Sequence, residues 1–247
     1  MSEPRVIALI PARGGSKRIR RKNARHLQGI PLLAYTIISA QQSGIFSGVY
    51  VSTEDPEIER IALIYGADVI RRPEALAADD SPDIAWVTHA LVDCHLCDKA
   101  DYWGLLRPTN PLRGPDVIRD AYSLWQQRSR DFDSLRAMEL IRDHPAKAWT
   151  VDERGYAHPV ATFGFKNPPA HSRPYQALPF IYRQTAALEI AHVSTVTVKG
   201  SISGDRIMPY LMTGHTGLDL NSEVDWLVLE ALLDKGLAIL PRIEVSA

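Results

Sequence analysis

The chain has 247 residues, 45% of them hydrophobic, with 28 Lys and Arg against 29 Asp and Glu and a net charge near −1. A chain of this size can bury about three quarters of its unfolded surface, so one core needs neither disulfide nor metal staples. Near-neutral charge excludes a polyanion binder that works through its overall charge, the even composition excludes low-complexity classes, and the lack of any run of about 18 apolar residues excludes a helical membrane span.

Val6 to Ile10 reads as a fully buried strand, and it runs directly into "PARGGSKRIRRKN". Pro31 to Gly44 reads as an amphipathic helix with proline near its start and glycine at its end. "GVYVST" is the next strand. In "DPEIERIALIYG" Asp55 is the expected N-cap, Pro56 the first helical residue and Gly66 the stop. "ADVIRR" is a short strand, Pro82 to Cys94 a helix, "DYWGLLRP" a strand, "GPDVIRDAYSLWQQR" a helix and "FDSLRAM" a strand. This alternation implies an α/β protein with a mostly parallel, doubly wound sheet.

After Arg142 the period is lost in a segment rich in proline, histidine and aromatic residues, which reads as an irregular lid or interaction arm inserted in a single domain. "FIYRQTAALEI", "VSTVTVKG" and "RIMPYLMTG" are expected strands, and "SEVDWLVLEALLDKG" is a closing helix with Ser222 as cap. Cys94 and Cys97 form the one C-x-x-C pair, and without a second pair they read as free thiols. With no recognisable leader or membrane segment, a cytoplasmic location is expected.

Chemistry concentrates in loops that follow strands, because open parallel sheets bind ligands beyond the carboxyl ends of their strands. Seven cations, from Arg13 to Arg25, fall within thirteen residues that contain no acid. Gly14 and Gly15 can adopt backbone angles that bring successive N–H groups onto a phosphate. The spacing matches neither the P-loop nor the dinucleotide fingerprint. What remains is a strand, a glycine turn, and Arg13, Lys17 and Lys22 to neutralise a triphosphate. A nucleic-acid site is disfavoured, since no aromatic residues interleave with the cations. In "LLRPTNPLRGPDVI", three prolines stiffen a turn that presents Thr109, Asn110 and Arg113 after Arg107. In "GLDLNSEVDW", Asp219 and Asn221 lie two apart on an extended stretch and share a face, a pattern suited to a hard divalent ion; Asn221 or Ser222 could instead merely cap the last helix.

The ordered set "PARGGSKRIRRKN", "VSTEDPEI", "RRPEALAAD", "LLRPTNPLR", "DHPAKAW" and "GLDLNSEVDW" resembles the sugar-acid cytidylyltransferases, most closely the acylneuraminate (CMP-sialic acid) synthetases. The resemblance implies a nucleotide-diphospho-sugar transferase fold and a homodimer whose arm, about residues 142 to 185, crosses to the partner. It implies transfer of CMP from CTP to the anomeric hydroxyl of a sialic-acid-like sugar acid, with Mg²⁺ and release of pyrophosphate. The nucleotide-binding set is then Ala12, Arg13, Gly14, Gly15, Ser16, Lys17, Lys22, Asn23 and Arg72. Arg13, Lys22 and Asp219 are the catalytic residues, and Asp219 with Asn221 the metal pair.

For the sugar acid, Arg107, Thr109, Asn110, Arg173, Arg183 and Thr185 are the candidates, the arginines because a guanidinium pairs bidentately with a carboxylate, with a structural ion pair as the alternative for each arginine. The chain departs from the family pattern at Arg18, where glycine is usual, at Arg107 for glutamine, Thr185 for asparagine and Asn221 for aspartate. These departures keep open a related enzyme using GTP or another sugar, and a catalytically silent nucleotide-binding protein.

Overall fold

A computed structural model describes residues 3–243. Along the chain run β1 (Val6–Pro11), the small pair β2 (His26–Leu27) and β3 (Ile30–Pro31), α1 (Leu32–Ser43), β4 (Gly48–Thr53), α2 (Pro56–Ile64), β5 (Asp68–Arg71), α3 (Asp83–Thr88), β6 (Tyr102–Leu105) and α4 (Pro115–Arg128). Then follow β7 (Ser134–Leu140), β8 (Trp149–Val151), β9 (Ala157–Pro159), β10 (Tyr182–His192), α5 (Val193–Thr197), β11 (Ile207–Leu211) and α6 (Glu223–Asp234).

Among the described residues, seven strands form the main sheet in the order β11-β7-β10-β6-β1-β4-β5. β1 is parallel to both neighbours, aligning Ile7 with Gly48 on β4 and with Trp103 on β6, while β10 runs antiparallel to β6. Successive side chains of a strand point to opposite faces, and both faces of β1 are covered. Val6, Ala8 and Ile10 pack with Leu33 and Ile37 of α1, Ile58 and Ile61 of α2, and Ile118 and Trp125 of α4. Ile7 and Leu9 join Trp86 and Val87 of α3 and Val196 near the end of α5. A third cluster joins Ile19 of the first loop to Leu32 and Tyr35 of α1, and to Trp226 and Leu229 of α6.

The helix signals act as the sequence expects. Asp55 accepts from the N–H of Glu57 at 2.8 Å and of Ile58 at 3.1 Å, with Pro56 at the first helical position. Gly44 closes α1 in the left-handed region, φ +69°. Ser222 caps α6, accepting from the N–H of Asp225, whose carboxylate answers by accepting from Ser222 N–H at 2.7 Å.

Two expectations change. Residues 193–197 of the expected strand "VSTVTVKG" form α5, although four of the five are β-branched. Thr195 donates its hydroxyl to His192 O, and Val196 is buried against Trp86, so packing overrides β-propensity. The helix begun at Asp83 continues past Thr88 as a wider turn over His89–Asp93, closed by Cys94 N–H to His89 O at 3.0 Å. Cys94 and Cys97 are free thiols.

The chain divides into two compact units, residues 1–137 with 185–247, and Met138–Gln184. The smaller unit is built from short turns and the β8–β9 hairpin around Ala146, Ala170 and Leu178, with Phe165 packed against them. Within it, His144 accepts from Ala146 N–H through Nδ1 and bonds Pro179 O through Nε2.

Candidate functional site

The loop leaving β1 lines a cavity of about 280 Å³, shared with Arg72 after β5, the turn at Leu76–Asp79, Asp83 and Trp86 of α3, and Arg107 to Thr109 after β6. Arg13, Ser16, Lys17, Arg18, Lys22 and Asn23 all reach its wall. Pro11 ends β1 paired to Ser52, and Ala12 is wholly buried, donating its N–H to Ser52 O. Ile19, 1% exposed, pins the middle of the loop into the third cluster, so the cations on either side are held out from a fixed stem. Asn23 is 5% exposed and donates its side-chain amide to Arg13 O at 2.9 Å while its backbone carbonyl accepts from Leu33 N–H. It clamps the two ends of the loop together.

The glycines work through space and not through backbone angle, because neither Gly14 nor Gly15 has positive φ. A Cβ on Gly14 would sit 2.2 Å from Asp55 Oδ2, while one on Gly15 would meet nothing within 4 Å. The Gly14 N–H donates to Glu54 Oε1 at 2.7 Å, so that amide does not converge on a phosphate as the glycine turn suggests.

Lys22 is half-buried and donates to Leu220 O at 2.8 Å. Burial lowers its pKa to about 8, against the pull of Asp219; the neighbouring Arg18 and Arg13 push it lower still. Arg72 is 7% exposed, bound to Ser52 Oγ and Ser52 O, with its guanidinium 5.0 Å from the Trp86 ring. Burial lowers its pKa to about 10. Arg13 pairs with Asp79 at 2.9 Å and Lys17 with the same carboxylate at 2.5 Å.

The turn after β6 divides. Thr109 faces the cavity. Asn110 and Arg113, expected as presented polar groups, are fully buried. Asn110 donates to Leu218 O, and Arg113 to Ala187 O and Thr36 Oγ1, so both serve the scaffold. Arg107 reaches the cavity already paired with Asp83 at 2.6 Å, and Trp86 donates its ring N–H to the same carboxylate.

Asp219 follows the same logic of placement. Leu220 N–H bonds Thr109 O, which ties the 215–221 segment to the turn after β6 and sets Asp219 near Lys22. Asp219 Oδ1 is buried without a hydrogen-bond partner, an open position for a cation. Its Oδ2 accepts from the Asn221 side-chain amide. Asn221 therefore presents a donor to Asp219, and its backbone N–H bonds Asp225 Oδ2 at 2.9 Å. It supports the carboxylate and the capping box, Ser222 being the cap. Among the described residues no three of His, Cys, Asp and Glu gather as a metal cage.

The remaining sugar-side candidates are each engaged within their own unit. Thr185 is 6% exposed, its hydroxyl bonded to Ala137 O and Met212 Sδ. Arg173 and Arg183 belong to the smaller unit: Arg173 donates to Pro168 O and stacks 4.1 Å over Phe165, and Arg183 pairs with Glu139. Sequence reasoning missed Glu54, Asp79 and Asp83, the acids that neutralise the basic wall. Asp79 stood in the quoted "RRPEALAAD", but a contact spanning more than sixty residues leaves no periodic trace.

With the site in view, comparison with known proteins gives three findings. The profile of the family described as Cytidylyltransferase matches residues 7–157. A CMP-N,N'-diacetyllegionaminic acid synthase of Legionella pneumophila is 31% identical over 233 residues, 93% of this chain and 97% of that protein, and an N-acylneuraminate cytidylyltransferase of Escherichia coli is 43% identical over 122 residues, 49% of this chain and 28% of that one. Among solved structures, a CMP:2-keto-3-deoxy-manno-octonic acid synthetase complexed with CTP superposes with a TM-score of 0.68 at 14% identity, covering 94% of this chain and 99% of that one.

Proposed function

Since the chain belongs to the cytidylyltransferase family and is a sugar nucleotidyltransferase, we propose that it joins CMP from CTP to the anomeric hydroxyl of a nonulosonic, sialic-acid-like sugar acid, releasing pyrophosphate. The reading rests on one observation: Arg13, Lys17, Arg18, Lys22 and Arg72 line a single cavity beyond the carboxyl ends of β1 and β5. Phosphoryl-type transfer needs alignment and charge neutralisation more than a covalent nucleophile. Lys22, held at the inner end of the loop, takes the charge that builds on the departing pyrophosphate, and Arg13 and Lys17 carry its outer oxygens. Asn23 keeps the loop in register, and Arg72 with Trp86 forms the floor.

The donor set fits a magnesium ion held by Asp219 Oδ1 and the nucleotide's own phosphates, with Asn221 orienting the carboxylate. When bound, such an ion would supply charge neutralisation to the phosphate oxygens. A homodimer is proposed through the smaller unit. Nine of the nineteen exposed large hydrophobic residues among those described, including Trp149, Tyr156, Phe163 and Phe180, lie within its 47 residues, a density that fits an interface. Among the described residues no helix is long and apolar enough to cross a membrane, and a cytoplasmic site of action is proposed with the rest.

The test is pyrophosphate release from CTP, GTP, ATP and UTP, each with Mg²⁺ and a panel of nonulosonic and octulosonic acids. Release with CTP and a nonulosonic acid is expected. Release only with GTP would move the base preference, and no release with any pair would leave a nucleotide-binding protein without this chemistry.

A further inference from the structure

The cavity that would receive a triphosphate already carries an acid that pairs with two of its cations. Asp79 Oδ1 lies 2.9 Å from Arg13, and its Oδ2 lies 2.5 Å from Lys17 Nζ. One carboxylate thus spans two cations with one oxygen each, the same arrangement a phosphate's oxygen pair would take. The carboxyl pKa is held below its usual range, first by the hydrogen bond from Lys17 and then by the charges of Lys17 and Arg13, so the group is ionised at neutral pH. The Arg13 guanidinium also donates to Ala77 O and Ala78 O, so the whole turn from Ala77 to Asp79 leans on it.

This contact is built to exchange. The Lys17 and Asp79 side chains are 81% and 46% exposed, whereas those of the Arg136–Glu189 pair of the same unit are 16% and 11% exposed. Exposed pairs are weak and salt-sensitive, so a ligand bearing several charges can displace one carboxylate.

We infer that Asp79 is a built-in competitor for the polyphosphate: its carboxylate holds Arg13 and Lys17 until a di- or triphosphate takes them, and reclaims them as pyrophosphate leaves. The inference rests on the nucleotide-binding reading of this cavity. The clasp reduces the affinity of every ligand that needs these two cations by the same factor, the fraction of molecules in which they are free. A nucleoside monophosphate lacks the outer phosphates and escapes that reduction. Asp79 thereby sets how readily pyrophosphate departs, and works as a specificity-determining residue for the outer phosphates without touching the reacting atoms.

The test is calorimetric titration of CTP, inorganic pyrophosphate and CMP into the wild type, Asp79→Asn, Asp79→Ser and Asp80→Asn, with Mg²⁺ at low ionic strength. Asp80→Asn changes the same charge one residue away, at a side chain with no ion pair among the described residues. In both Asp79 variants the dissociation constants for CTP and pyrophosphate are expected to fall about three- to tenfold, the size of two exposed ion pairs. CMP affinity, and all affinities of Asp80→Asn, should stay within about twofold of wild type. Unchanged or weaker pyrophosphate binding in the Asp79 variants, or equal tightening by Asp80→Asn or toward CMP, overturns the clasp while the nucleotide reading stands. A wild type that binds neither CTP nor pyrophosphate removes the nucleotide reading, and the clasp with it.

Discussion

The loop after β1 and the loop after β6 both leave neighbouring strands of the sheet and both carry arginine, yet they use it in opposite ways. After β6, Arg113 is fully buried and bonded to Ala187 O and Thr36 Oγ1, and Arg107 is locked to Asp83. After β1, among the described residues, the Arg13 and Lys17 side chains are held only by Asp79 and the exposed turn beside it, and the Lys22 side chain bonds a single carbonyl. A cation whose donors are satisfied by the scaffold maintains the fold; a cation left partly exposed against a removable partner is available to a ligand. Residue type alone does not separate the two uses, whereas burial and pairing do.

Substitution of Arg113 breaks the comparison from the scaffold side. Arg113→Ala opens a cavity beneath the turn and strips Ala187 O and Thr36 Oγ1 of their donor, at a cost of about 4 kcal/mol. Urea unfolding should show that loss as a lower midpoint, and an unchanged midpoint would mean that the turn holds without it.

Lys22→Ala breaks it from the ligand side. Removing one well-aimed cation from the transition state costs on the order of 3 kcal/mol, a hundredfold or more in kcat. Stability at pH 7 should hold or rise, since the substitution removes a partly desolvated charge. Single-turnover rates and unfolding midpoints together separate this outcome from that of Arg113→Ala.

A smaller effect sharpens the contrast. Burial has lowered the Lys22 pKa to about 8 from an ordinary 10.5. Between these values the unfolded chain binds more protons than the folded one, so this group's unfavourable contribution is fully present below about pH 8 and is relieved as pH rises toward 10.5. Ligand binding runs the other way: CTP affinity should fall severalfold from pH 7 to 9 as Lys22 loses its proton. A titration of affinity against pH with no limb near 8 in the wild type, or the same limb in Lys22→Ala, contradicts this role.

Much of the sheet and most helix ends were legible, because they depend on local signals: the apolar run Val6–Ile10, Asp55 before Pro56, Gly44, and Ser222 at the head of the last helix. The strand expected at residues 193–200 failed because packing of Val196 outweighs the preference of β-branched residues. At the site, the basic loop was legible as composition, but its balancing acids were not. Glu54 reaches Gly14, Asp79 reaches Arg13 and Lys17, and Asp83 reaches Arg107 only through the folded sheet. Asn221 read as a possible ligand because spacing puts it on one face with Asp219; only the placed amide and the Ser222–Asp225 box assign it a supporting part.

The most direct test of the central claim is a crystal structure of the protein with CTP bound. The account predicts the β- and γ-phosphate oxygens within hydrogen-bonding distance of Arg13, Lys17 and Lys22, with the Asp79 carboxylate turned away from the two outer cations. A nucleotide bound elsewhere, with the loop after β1 still closed on Asp79, would contradict it.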